Sequence, residues 1–370
     1  MKRTIIFSAV NVTQGGPLTL LRNFMEFAEA TLAENYDVWF FVYTKEVVGR
    51  EFFRIKIREF PNSRSTVFHK LFYEYVHFKK ISKDIRPAVW FSLNDCSPSV
   101  CADMRVVYIH NATALYSFSW LDFRFPSRIV LQRFYYWFFL KANLNMNSFV
   151  IVQQRFMKDF VVRKLRFRRP ENILLHRPVF SFEPPVPSAR EKGIPLMIYP
   201  TKPEVYKNVH LLIKGLKILK DKYGLLFGAR LTLTGRENRY SRFLVKLGRD
   251  IPEIAWTGTV PHNILMEQIA SVDILVFPSK LETWGLPLSE AKQLDKYVVA
   301  ADLPYARETL DGYPLAEFFD PDSAEDLAAK LARAIEHVKT RQTRPDSGKQ
   351  QQPDENSLKN IFEKILGGVA

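Results

Sequence analysis

The stretch Pro278-Ser-Lys-Leu-Glu282-Thr-Trp-Gly285-Leu-Pro287-Leu-Ser-Glu290-Ala291 follows the apolar run 273–277 and leads into a helical pattern over 286–294. A short apolar run bounded by turn residues reads as a buried strand, so the segment is strand, loop, helix. Gly285 frees the backbone to turn closely past a ligand. Pro287 suits the first turn of a helix, and the unpaired N–H groups there face an anion such as a pyrophosphate. Glu282 falls in the loop and Glu290 about one turn inside the helix. Both carboxylates can therefore point into one pocket and accept hydrogen bonds from hydroxyl groups. A Glu pair alone would read as a loop charge and an exposed helix residue; the whole string carries the reading.

Outward from this segment, apolar runs alternate with helical patterns along the chain. In the first half the expected strands are 4–10, 37–43, 88–93, 105–110 and 148–152, with helices over 18–32, 68–83, 128–142 and 154–163. A proline-rich stretch, Pro178, Pro184, Pro185 and Pro187 up to Gly193, reads as a linker. Strands then resume at 195–199, 229–234, 254–257, 274–277, 297–301 and 316–319, with helices over 208–220, 241–247, 264–270, 286–294 and 324–338. This alternation implies an α/β protein of two doubly wound, parallel domains. The expected boundaries are 1–185, 186–340, and a polar mobile segment with a terminal helix over 341–370. In that helix Leu358, Ile361, Phe362 and Ile365 share one face. Two open α/β domains in series place the natural ligand site in the cleft between them, where strand C-termini and helix N-termini converge.

Composition bounds the rest. The chain has 370 residues, 47% of them hydrophobic and 25% charged, which suits two folded domains and excludes wholesale disorder. The first 190 residues carry 28 Lys and Arg against 15 Asp and Glu; the remaining 180 carry 25 against 24. The basic half favours polyanionic partners: an anionic membrane, a phosphorylated substrate or nucleic acid. Nucleic acid is set aside, because no RNP, zinc-finger or basic-helix signature is present. The aromatic segment 128–142, with Arg124, Arg128, Arg133 and Lys141 around it, and the similar segment 67–80 suit an anionic lipid-linked acceptor or a membrane face, or else serve as core. No run approaches the ~18–20 apolar residues needed to span a bilayer. Residues 4–10 read as a first core strand rather than a leader. Cys96 and Cys101 make a poor zinc site and fit reduced thiols in a cytoplasmic protein. Asp320-Pro-Asp322 mimics a metal-binding Asp-x-Asp, yet it precedes a helix that Asp322 or Ser323 can cap. No metal and no cofactor are expected.

Further candidate residues lie at strand ends. In Tyr199-Pro-Thr-Lys202-Pro-Glu-Val-Tyr206-Lys207-Asn208, Lys202 and Lys207 could neutralise a diphosphate leaving group. Gly15-Gly16 follows the first strand and opens a helix. His110 ends the strand 105–110, and Asn94 ends another. Thr234-Gly235-Arg236 and Thr257-Gly258-Thr259-Val260-Pro261 end strands of the second half.

The string from Glu282 to Glu290 resembles the Glu-x7-Glu signature of family 4 retaining glycosyltransferases, with Trp284 where that family commonly has Phe. The resemblance is firm over 195–337 and thinner over 1–190. It implies the GT-B fold, two Rossmann-like domains facing across a cleft. It also implies that Glu290 binds the donor ribose, that Glu282 contacts the transferred sugar, and that the backbone of Thr283, Trp284, Gly285 and Leu286 holds sugar and phosphates. Lys202, in place of the family's Arg, and Lys207 would touch the diphosphate. Gly15 and Gly16 would reach the donor phosphate, Gly235 the nucleotide, and His110 the donor sugar. His110, Glu282 and Lys207 are the expected catalytic residues. The implied activity is a metal-independent hexosyltransferase. It would move a hexose from a nucleoside-diphosphate sugar to a glycan or lipid-linked acceptor, in surface polysaccharide synthesis at the inner face of the cytoplasmic membrane. The alternative is a GT-B nucleotide-sugar enzyme of other chemistry, such as an epimerase.

Overall fold

A computed structural model describes residues 2–127, 129–178, 193–340 and 357–367. Arg128, the linker prolines Pro184, Pro185 and Pro187, and the polar run 341–356 lie outside the described residues. Contacts divide the chain into two units: Met1–Ala114, Leu131–Val179 and Gln351–Ala370 form one, Leu115–Val130 and Phe180–Gln350 the other.

The first unit is built on seven parallel strands: β1 (Arg3–Ala9), β2 (Tyr36–Val42), β3 (Lys56–Glu59), β4 (Val89–Ser92), β5 (Met104–Ile109), β6 (Phe149–Val152) and β7 (Ile173–Leu175), in the order β3-β2-β1-β4-β5-β6-β7. Ile5 of β1 lies opposite Val38 on one side and Val89 on the other. Helices cover both faces, so the central strands are apolar on both sides, and Ile5, Ile6 and Phe7 are all fully buried. The two strands not expected from sequence are edge strands. Lys-Ile-Arg-Glu of β3 is polar because its outer edge is exposed, and β7 has only three residues. The expected helix over 18–32 starts earlier, at Gly15, and its last turn, Ala28–Leu32, is π-helical. The one expected over 68–83 is three pieces: Val67–Phe72, a π-helical turn Tyr73–His77, and Phe78–Ile85.

The terminal helix Leu358–Gly367 packs into this same unit. Ile361, Phe362 and Ile365 join the core around Phe7, Phe24 and Phe91, and the Phe362 ring stacks on Phe91 with centroids 5.7 Å apart. The amphipathic face legible in the sequence is therefore a lid on the core of β1 and β4.

The second unit has six parallel strands: β8 (Leu196–Tyr199), β9 (Gly228–Leu231), β10 (Ile254–Trp256), β11 (Ile274–Phe277), β12 (Tyr297–Ala301) and β13 (Ala316–Phe319), in the order β10-β9-β8-β11-β12-β13. The strand expected over 229–234 stops at Leu231. Beyond it the Thr232 hydroxyl bonds both the N–H and the C=O of Thr201, which draws the chain off the ladder. A six-residue helix, Pro304–Thr309, is too short to have shown a period.

Each sheet runs outward in opposite directions from a central pair, β1/β4 in one unit and β8/β11 in the other. At such a switch point the two connections leave to opposite sides, and the gap at the carboxyl ends is where ligands bind in open α/β sheets. We expect Phe362→Ala to destabilise the first unit by about 3–5 kcal/mol, seen as an early transition in urea denaturation with the second unit unchanged.

Candidate active site

In the second unit the two sequence signals that lie furthest apart along the chain converge. The loop after β8 carries Lys202 to Lys207, and the loop after β11 carries Glu282 to Gly285. Because β8 and β11 are neighbours, Lys207 Nζ meets Glu282 Oε1 at 2.5 Å, each side chain only 17% exposed. Burial alone would lower the lysine's pKa; the Glu282 carboxylate, with Tyr199 and Tyr206, outweighs it and holds the pKa above the ordinary lysine value. The ammonium thus stays charged at any physiological pH. The Tyr199 hydroxyl donates to the Lys207 carbonyl at 2.8 Å, and Lys280 N–H donates to the Tyr206 carbonyl at 2.8 Å, so the two loops are stitched together beside the pair. Lys202 is exposed on the same loop.

Gly285 caps the helix Leu286–Gln293 with φ of 76°, in the left-handed region. A Cβ there would meet Leu288 at 3.1 Å and Phe277 at 3.3 Å. Trp284 is buried, its indole N–H donating to Ser289 Oγ at 2.8 Å and its carbonyl accepting from Thr309 Oγ1 at 2.7 Å. Both bonds tie the loop between Thr283 and Leu286 to its neighbours. Glu290 is buried one turn into the helix. Its Oε1 lies 3.0 Å from His262 Nε2, and its Oε2 is buried without a hydrogen-bond partner. A buried, unsatisfied carboxylate oxygen is costly and is a ready acceptor for a ligand hydroxyl. Gly235 has φ of 87°, and its N–H donates to Glu237 Oε2 at 2.9 Å. Asp322 pairs with Lys280, and the Ser323 hydroxyl accepts from Asp326 N–H at 3.1 Å as the cap of the helix Ala324–Thr340.

The other candidates lie in the first unit. Gly15 and Gly16 open the helix after β1, Gly15 with φ of 68°. His110 lies in the wall of a cavity of about 210 Å³ together with Asn11, Arg64, Lys70, Asn94 and Asp95. Asp95, with φ of 55°, accepts from the His110 backbone N–H at 2.7 Å and sits 3.1 Å from His110 Nε2. Burial raises the Asp95 pKa, and His110 opposes that rise. Asp95 and His262 were not singled out in the sequence. Asp95 adjoins Asn94 at a strand end, a usable signal; His262 opens the helix His262–Ser271 and nothing local ties it to Glu290.

The hydrogen bond to Glu290 raises the His262 pKa, with burial opposing. A raised folded value means the stabilisation is complete below the usual histidine pKa of about 6.5 and is lost as pH climbs through the folded value. The imidazole is 66% exposed, so the difference between wild type and His262→Ala should stay under about 1 kcal/mol. It should be largest near pH 6 and gone in alkali, as read by urea denaturation across pH.

Residues 185–351 match the family model for glycosyl transferases group 1. The chain is 32% identical over 136 residues to the sulfoquinovosyl transferase SQD2 of Arabidopsis thaliana, covering 35% of this chain and 26% of that one. It is 23% identical over 203 residues to the O-antigen chain mannosyltransferase RfbU of Salmonella typhimurium, covering 54% of each. The chain thus spans about a quarter and about half of the lengths of these two relatives. The structure superposes on Anabaena HepE, solved in complex with UDP and glucose, with a TM-score of 0.64, 15% identity and 91% of each chain covered. With its two parallel sheets and their switch points, the chain has the GT-B fold, and residues 185–351 are similar to the glycosyl transferases group 1.

Proposed function

We propose that the protein transfers a hexose from a nucleoside-diphosphate sugar to a hydroxyl of a glycan or lipid-linked glycan acceptor, with retention at the anomeric carbon and without a metal. The observation that carries this reading is the switch point of the second unit. There a largely buried cation, Lys207, adjoins Glu282, and the buried Oε2 of Glu290 is an acceptor for a ligand hydroxyl. Glu290 would accept from the ribose and Glu282 from the transferred sugar. The backbone from Thr283 to Leu286, with that of Gly235, would line the donor.

The chemical barrier is departure of the diphosphate as the anomeric carbon gains oxocarbenium character. The C–O bond to the phosphate breaks with its electron pair on the diphosphate. The acceptor oxygen then bonds the same face of the carbon, and its proton passes to the leaving phosphate oxygen. Lys207 and Lys202 would stabilise the departing charge, a fixed electrostatic role that requires no metal ion. Gly15, Gly16 and His110 are assigned to the donor phosphate and sugar. Names among the relatives, O-antigen mannosyltransferase and sulfoquinovosyl transferase, favour a surface glycan or glycolipid product.

The acceptor side is read from the surface of the first unit. Phe68 and Leu131 are 82% and 76% exposed, and Phe72, Val76, Phe134 and Phe138 are exposed with them. Lys70 rests its ammonium over Tyr135 and Tyr136, and Lys141 over Trp137. Exposed aromatics among lysines suit peripheral contact with an anionic membrane at the cytoplasmic face. No described helix is long and apolar enough to cross a membrane.

A thermal-shift panel of UDP-, GDP- and dTDP-sugars tests the donor assignment. At a ligand concentration a hundredfold above Kd, binding stabilises by about 2.7 kcal/mol. One nucleotide class should raise the melting point of wild type, equally with EDTA, and should fail to raise that of Glu290→Ala. A shift abolished by EDTA would end the metal-independent reading. NMR of the product formed from a single-anomer donor should show the donor's anomeric configuration; inversion would overturn the same-face mechanism.

A further inference from the structure

Beneath the cavity of the first unit lies a carboxylate to which the transfer reaction above assigns no role. Glu74 is 1% exposed. It sits on the π-helical turn Tyr73–His77, and such turns are frequent at functional sites. Its Oε1 accepts from Asn94 Nδ2 at 2.8 Å and from Asn11 Nδ2 at 3.2 Å. Its Oε2 is buried with no hydrogen-bond partner, and no ion pair forms to it among the described residues. Burial pushes its pKa up to about 7, against the pull of Lys70, Cys96, Asn94 and Asn11. Interring a carboxyl group under these terms costs several kcal/mol, and an apolar residue would pack here without that cost.

The two amides bound by Glu74 both lie in the cavity wall, one after β1 and one after β4, astride the switch point. Asn94 is fully directed: Nδ2 to Glu74, Oδ1 accepting from the Asn11 backbone N–H at 3.0 Å. Asn11 has its Nδ2 committed to Glu74, which leaves Oδ1 as the atom available to a ligand. An amide free to rotate would offer donor and acceptor equally and discriminate nothing.

We propose that Glu74 is a positioning residue for a sugar bound in this cavity, holding the Asn11 and Asn94 amides so that Asn11 Oδ1 is presented to a sugar hydroxyl. That the ligand is a sugar rests on the transferase reading; the positioning role rests on the hydrogen bonds. Both amides use Oε1, so the neutral acid, with its proton on Oε2, orients them as well as the carboxylate does. Glutamine, which keeps Oε1, can therefore replace glutamate, whereas alanine cannot.

The test is saturation-transfer NMR on the full chain with the methyl α-glycosides of glucose, galactose and mannose. At least one should give a signal with wild type. The signal should stay within twofold in Glu74→Gln and fall tenfold or more in Glu74→Ala and in Asn11→Ala. Melting-point shifts with the free nucleotides UDP, GDP and dTDP on the same variants should match wild type, showing an intact fold and nucleotide side. A signal unchanged in Glu74→Ala or Asn11→Ala, a loss in Glu74→Gln equal to that in alanine, or no signal from any glycoside on wild type would overturn the proposal. Should Glu74→Ala not fold, Asn11→Ala and Glu74→Gln decide alone. If wild type shows no nucleotide-sugar shift while the glycoside signals behave as expected, the transferase reading fails and the positioning role stands.

Discussion

The structure depends on how parallel strands must be connected. A parallel strand cannot be followed by its neighbour through a tight turn; the chain crosses over through a helix, and nearly always in the right-handed sense. When the connections leave a central pair to opposite sides, the two loops at the carboxyl ends diverge and leave a gap. In the second unit this gap falls between β8 and β11, and it brings Lys207 to Glu282 across 75 positions of sequence. In the first unit it falls between β1 and β4 and brings Asn11 to Asn94 across 83. The same topological event, repeated, builds a polar constellation in each unit.

Electrostatics then differ between the two constellations. In the second unit a cation and a carboxylate neutralise one another where both are largely withdrawn from water. A buried pair of this kind gives little net stability, but removing one partner strands the other. In the first unit the charges are dispersed. Asp95 is answered by His110, Glu74 by hydrogen bonds from two amides, and Lys70 lies over aromatic faces. Packing supports both. The Gly285 turn is pressed between Phe277, Leu288 and Tyr305, and the aromatic core under β1 and β4 is closed by Phe362.

Much of this was legible in the sequence, and for physical reasons. Strands buried on both faces read as continuous apolar runs, so β1, β2, β8, β11 and β12 were evident. Turn chemistry that needs a permissive backbone showed at Gly285, whose φ is positive. The strand-loop-helix context of Glu282 and Glu290 was evident as well. The misses share a cause. β3 and β7 are edge strands with few apolar positions, and the π-helical turns at Ala28–Leu32 and Tyr73–His77 have no composition of their own. The terminal helix showed its apolar face but not what that face covers.

The sequence by itself determined the alternation of elements, the two doubly wound units, and the residue types at their strand ends, because burial and backbone geometry leave local marks. Only the tertiary structure decided which strand ends are neighbours, and with them the Lys207–Glu282 pair, the hold of His262 on Glu290, and the pairing of Asp95 with His110. It alone also showed that Glu74, one glutamate in an ordinary-looking helical stretch, is buried on a π-helical turn with two amides bonded to it. Strand order and a one-residue helical insertion are non-local or backbone properties; neither is written in the chemistry of any side chain.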